Sequence, residues 1–162
     1  MSPFQTVMAF VLEMETSKIT DDPRDRGGLT KYGISQRAHP GVDIRNLTEA
    51  GATAIYKRMY WDAVSGDRLN PIMAACTFDA AVNMGPLTAR LMLQKVAKVK
   101  QDGDIGPATL AALAKINPRS FVKAYTRERL YQYALMDKLD DIYGRGWINR
   151  AMSLYEILLG IE

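Results

Sequence analysis

Proline is placed along this chain as punctuation, and that placement leaves few folds open to it. Ser2-Pro3, Asn70-Pro71 and Asn117-Pro118 each set a capping side chain directly before a proline. This is the arrangement of a helix start, where the missing N–H would have no partner anyway and the fixed φ suits the first turn. Gln5 stands where it completes a capping box with Ser2. Phe4, Val7, Met8, Val11 and Leu12 then recur at the spacing of a helix with one buried face. Thr48 is a further N-cap and opens a helix towards Trp61, and Asn70-Pro71 opens one that Gly85-Pro86 closes. Helices are also expected over 88–99, from Pro107 to Ala114 and from Asn117-Pro118 to about Asp141. After a break at Gly144-Arg145-Gly146, a last one runs from Trp147 to about Leu159. Residues 18–35 carry turn chemistry instead, with Asp21, Asp22, Pro23, Asp25, Gly27, Gly28 and Gly33, and should form an irregular loop or a short β-hairpin. The expected class is mainly α, with one small irregular or β-hairpin lobe near the N-terminus.

Composition narrows the chemistry. A length of 162 residues suits one domain, or one domain with a small subdomain packed on it. A single cysteine, Cys76, rules out an intramolecular disulfide and a cysteine-rich zinc site, and a single histidine, His39, argues against a histidine metal cluster or a Ser-His-Asp triad. Carboxylates, hydroxyls and aromatics remain. The net charge of +3 is too mild to call for nucleic acid; it suits a polyanionic surface such as a cell wall, and suits plain solubility equally well. Val7 to Leu12 is far too short to span a membrane and lacks a basic n-region and cleavage site. The expectation is a monomer made in the cytoplasm without an export signal. It should need no metal or organic cofactor, bind no nucleic acid and insert stably in no membrane.

Within the first helix, a rotation of about 100° per residue puts Glu15 near the centre of the stripe formed by Phe4, Met8 and Val11, and puts Glu13 on the solvated side. A carboxylate ending an apolar stripe either reaches water at a frayed helix end or sits in surroundings that suit a general acid. Asp21, Asp22 and Asp25 follow on a loop with Gly27, Gly28 and Thr30. They are turn formers, or they supply the second carboxylate of an inverting glycosidase; their spacing does not follow a calcium-binding EF-hand loop. Further on, Ile72, Ala75, Cys76, Asp79 and Asn83 share one helix face. Asp79 and Asn83 are therefore either a satisfied buried pair or part of a cleft floor, with Asn83, at the helix end beside Gly85, the better placed to hydrogen-bond an acetamido group. Tyr32, Tyr60 and Trp61 are candidate sugar-stacking rings, although most such rings belong to cores.

Several segments, in order, resemble the phage-type N-acetylmuramidases of glycoside hydrolase family 108. They are Phe10-Val11-Leu12-Glu13-Met14-Glu15, the run from Asp22-Pro23-Arg24-Asp25-Arg26 through Gly27-Gly28-Leu29-Thr30-Lys31-Tyr32-Gly33-Ile34-Ser35, Tyr60-Trp61-Asp62, and Phe78-Asp79-Ala80-Ala81-Val82-Asn83-Met84-Gly85-Pro86. Gln101-Asp102-Gly103-Asp104-Ile105-Gly106-Pro107-Ala108-Thr109-Leu110 is similar to the start of that family's peptidoglycan-binding region, and Gly144-Arg145-Gly146-Trp147-Ile148-Asn149-Arg150 to its C-terminal signature. The resemblance implies a lysozyme-like fold, with a muramidase catalytic region over 1–86 and a helical peptidoglycan-binding-like region over 87–162 packed against it. It implies peptidoglycan glycan strands as substrate and Glu15 as the acid. The chain departs from the family where a Glu-Gly-Gly-Tyr motif is expected, reading Glu15-Thr16-Ser17-Lys18, and it holds one extra residue before Pro23. The spacing is also similar to that of the T4-type lysozymes. By that likeness Asp25, with Asp22 as runner-up, would position or activate water that Thr30 holds; Tyr32, Trp61, Asp79 and Asn83 remain the candidate substrate contacts read from the residues themselves. A phage endolysin, released to the periplasmic peptidoglycan by a separate holin, is the biological role this implies.

Overall fold

A computed structural model describes residues 1–15, 17–21, 27–136 and 143–160. Seven α-helices are present among them: α1 (Pro3–Met14), α2 (Glu49–Tyr56), α3 (Pro71–Met84), α4 (Pro86–Ala97), α5 (Pro107–Leu113), α6 (Pro118–Ala134) and α7 (Tyr143–Leu159). Between α1 and α2 lies a hairpin of two short antiparallel strands, β1 (Thr30–Lys31) and β2 (Ile34–Ser35). The fold is mainly α and lysozyme-like, as the chain's punctuation and resemblance imply.

The helix starts follow their local chemistry. The Ser2 hydroxyl accepts from the Gln5 N–H at 3.3 Å while the Gln5 carboxamide accepts from the Ser2 N–H at 2.8 Å, closing the capping box on α1. Thr48, Asn70 and Asn117 cap α2, α3 and α6 through their side chains. In the hairpin, Tyr32 and Gly33 carry φ of 51° and 71°. Two successive positive φ values make the tight turn whose twist matches the flanking strands. A bridge from Thr20 to Thr30 ties the incoming chain to β1.

The middle of the molecule is α3. Residues 73–81 are all buried, so this helix is covered on every side. Helices α1, α4, α6 and α7 pack around it. At its α1 side an aromatic cluster forms, with Phe4, Trp61 and Phe78 in mutual edge-to-face contact at centroid distances of 5.3–5.8 Å. On the far side Gln94, 1% exposed, fastens the 101–106 turn: its amide donates to Asp102 and to the Asp104 carbonyl, and its oxygen accepts from the Gly103 N–H.

Four expectations change. The helix from Thr48 to Trp61 is α-helical only to Tyr56 and passes into a wider π-turn over Lys57–Trp61. Helix α4 starts two residues early, at Pro86, so Gly85 serves both as the end of α3 and as the cap of α4. Helix α6 stops at Ala134, well before Asp141, which lies outside the described residues. Gly144 and Gly146 do not break the chain but lie inside α7. A glycine costs a helix only about 1 kcal/mol against alanine, and packing of the α7 face on α3 and α6 outweighs that.

Candidate active site

Helix α1 ends at Met14, and Glu15 is its C-cap, already extended at φ −98° and ψ 132° while its N–H still donates to the Val11 carbonyl. The helical stripe therefore stops one residue short of Glu15. Its side chain does not end among apolar groups. It turns towards α7, where Oε1 accepts from Arg150 Nη1 at 2.7 Å, and it remains 23% exposed. Glu13 is exposed, as its position on the helix predicts.

The other walls of Glu15 are polar too. Oε2 faces the Tyr32-Gly33 turn so closely that a Cβ on Gly33 would stand 2.6 Å from it and 2.6 Å from the Tyr56 hydroxyl. That hydroxyl donates to the Tyr32 carbonyl at 2.8 Å, tying the hairpin to the end of α2. Burial pushes the Tyr56 and Tyr60 phenols up, and the negative charge of Glu15 pushes them further. Both phenols thus stay protonated as neutral donors beside the carboxylate.

Behind Arg150 lies a buried chain of charges. Asp79, 0% exposed, accepts from Arg150 Nε on Oδ1 at 2.8 Å and from Arg129 Nη1 on Oδ2 at 2.7 Å. Arg129, 2% exposed, also donates from Nε to the Tyr133 hydroxyl at 2.6 Å, and that hydroxyl donates to the Asn83 carboxamide oxygen. Acidic and basic side chains alternate from Glu15 to Arg129, so Arg129, Asp79 and Arg150 each have a partner of opposite type, which makes their burial tolerable. Trp147, one turn before Arg150 on α7, lies against the Tyr133 ring at 5.7 Å.

The remaining candidates divide. Thr30 is half-buried on β1, and its hydroxyl donates to the Gly28 carbonyl at 2.9 Å. Tyr32 sits half-buried at the hairpin tip, with the Lys31 ammonium 5.4 Å from its ring centroid. Asn83 is half-buried beside Tyr133. Asp22 and Asp25 lie outside the described residues. Two expectations of substrate contact are corrected. Trp61 is 1% exposed, packed by Phe4 and Phe78, backed by Gly66 and hydrogen-bonded through its ring N–H to Asp67 at 2.8 Å, so its faces are occupied by protein. Asp79 does not line a cleft floor; it is buried and satisfied, with two guanidinium groups on its oxygens.

Reading the sequence for acids missed Arg129 and Arg150. A signal for both exists: Val122, Tyr125, Arg129 and Tyr133, and likewise Trp147, Arg150, Ala151 and Leu154, place an arginine in a helical apolar stripe. An arginine so placed requires a buried carboxylate, and Asp79, in the stripe of α3, requires a buried cation.

Residues 8–85 match the family model described as Glycosyl hydrolase 108, and residues 88–152 match the model described as Predicted Peptidoglycan domain. Among solved structures the chain is similar to SagA of Brucella abortus, at 32% sequence identity over 98% of this chain and 94% of that one, with a TM-score of 0.86. No curated protein sequence matches it.

Proposed function

Since this chain belongs to glycosyl hydrolase family 108 and is a glycoside hydrolase of the N-acetylmuramidase kind acting on peptidoglycan, we propose that it hydrolyses the β-1,4 bond between N-acetylmuramic acid and N-acetylglucosamine, with Glu15 as general acid. The observation that carries this reading is the Glu15 carboxylate itself: partly open to solvent, gripped from behind by Arg150, and facing the hairpin that bears Thr30. Protonated Glu15 gives its proton to the leaving glycosidic oxygen as the C1–O bond breaks. Water attacks C1 from the opposite face and loses its proton to Asp25, so one water is consumed and the anomeric configuration inverts. The Thr30 hydroxyl spends its hydrogen on the Gly28 carbonyl and keeps its lone pairs for that water. Tyr32 and Asn83 are assigned to binding the substrate.

Reducing-end release from purified Gram-negative peptidoglycan tests this. Glu15→Gln should lose about 10²–10⁴-fold in rate while remaining folded, and Glu13→Gln should match the wild type. Retained activity in Glu15→Gln would sink the assignment. Muropeptides ending in 1,6-anhydro sugars would indicate a lytic transglycosylase, which has no use for Asp25. The biological role proposed is that of a phage endolysin, reaching periplasmic peptidoglycan through a separate holin. Expressed in a Gram-negative host, it should lyse cells with a holin and not without one; lysis by the chain alone would overturn that route.

A further inference from the structure

Glu15 occupies a poor position for a catalytic acid to hold itself in. Its helix has ended, its backbone is extended, and its side chain is not packed into the α1 stripe. From the relay behind it, we infer that Arg150 is a positioning residue for Glu15: clamped by Asp79 and Arg129, it holds Oε1 and confines the catalytic proton to Oε2, the oxygen that faces the hairpin. This rests on Glu15 being the acid.

The geometry supplies each step. Arg150 is a planar fork of donors with no acceptor. It spends Nη1 on Glu15 Oε1 and Nε on Asp79 Oδ1, so its plane is set by two carboxylates from two different helices. Asp79 cannot swing away, because Arg129 holds its other oxygen and Tyr133 holds Arg129. An oxygen that receives an N–H from a donor-only group is a poor site for a proton, since the proton would meet another hydrogen. Protonation of Glu15 therefore falls on Oε2. That oxygen lies against Gly33, where absence of a side chain leaves room for it, on the hairpin side that carries Thr30.

A consequence concerns the two halves of the chain. Arg129 and Arg150 both lie within residues 88–152, matched as a peptidoglycan domain, while Glu15 and Asp79 lie within 8–85. The second half is thus part of the catalytic centre and not only a means of holding substrate.

The test is kinetic, with soluble peptidoglycan fragments as substrate and thermal unfolding recorded for every variant. Arg150→Lys keeps a cation between both carboxylates and so preserves the fold, but an ammonium cannot fix two of them in one plane. It should lower kcat about 10- to 100-fold, the scale of a misplaced reacting group, and leave KM within about threefold because no ground-state contact is lost. Arg150→Gln should fall further, making lysine a partial rescue. In the Glu15→Gln background, Arg150→Gln should cost nothing more, since a residue acting through Glu15 has nothing left to act on. A folded Arg150→Lys enzyme with wild-type kcat, a loss confined to KM, or additive losses in the double variant would each overturn the inference. Full activity in Glu15→Gln would instead overturn the assignment of the acid.

Discussion

Replacing Gly33 with alanine separates backbone strain from displacement of the acid. The residue has φ of +71°, a region that costs an L-residue about 1–2 kcal/mol. In a chain of this size each kcal/mol lowers Tm by roughly 2–4 °C, so strain alone predicts a fall of about 2–8 °C. The second effect is steric. The new Cβ would lie 2.6 Å from Glu15 Oε2, 2.8 Å from Glu15 Cδ and 2.6 Å from the Tyr56 hydroxyl, where ordinary contact begins at 3.4 Å. The carboxylate must therefore retreat by close to 1 Å, against the guanidinium behind it. A misplacement of about 1 Å at a reacting group costs on the order of 10²-fold in rate. Gly28 is the control: it has φ of +66° and nothing within 4 Å of the Cβ it lacks. Gly28→Ala should lose a similar few degrees and keep most of its activity. The assay pairs a thermal melt with reducing-end release from peptidoglycan. If Gly33→Ala melts low but hydrolyses at the wild-type rate, the position of the Glu15 carboxylate is not what sets catalysis, and the reasoning fails. Equal rate losses in both variants would refute the steric argument in the same way.

Other outcomes follow from the buried groups. Asp79→Asn leaves two guanidinium groups facing a neutral amide in the interior. Breaking a buried pair in this manner costs about 3–5 kcal/mol, read as a loss in urea midpoint without a change in slope. A near-neutral effect would mean that the Arg129–Asp79–Arg150 chain is not closed in solution. Cys76 is buried on α3, and burial pushes its thiol up to about 12. The thiolate is the reactive form, so at neutral pH an alkylating reagent should label the protein only after unfolding; rapid labelling of the native enzyme would contradict the packing around α3.

What the chain encodes locally is its helical frame. Ser2, Thr48, Asn70 and Asn117 cap helices because a short oxygen-bearing side chain satisfies a free N–H within two or three residues. Tyr32 and Gly33 turn the hairpin for an equally local reason, φ. Exposure of Glu13 follows from helix phase alone. Extrapolating that phase to Glu15 fails because one residue beyond the helix obeys no helical period, and its direction is then set by whatever charge lies nearest. That charge is 135 residues away in sequence, as Arg129 is 50 from Asp79. The fate of Trp61 is likewise a matter of packing: Phe4, Gly66 and Phe78 close over its faces, and nothing in its own neighbourhood of the sequence announces that. By itself the sequence determined the capped starts of α1, α2, α3 and α6, the turn character of the segment that holds the hairpin, and which acid stands at the end of α1. Only the tertiary structure decided which oxygen of that acid is held, by whom, and through what chain of charges, because an ion pair is selected by distance in space and local propensity has no reach beyond a few residues.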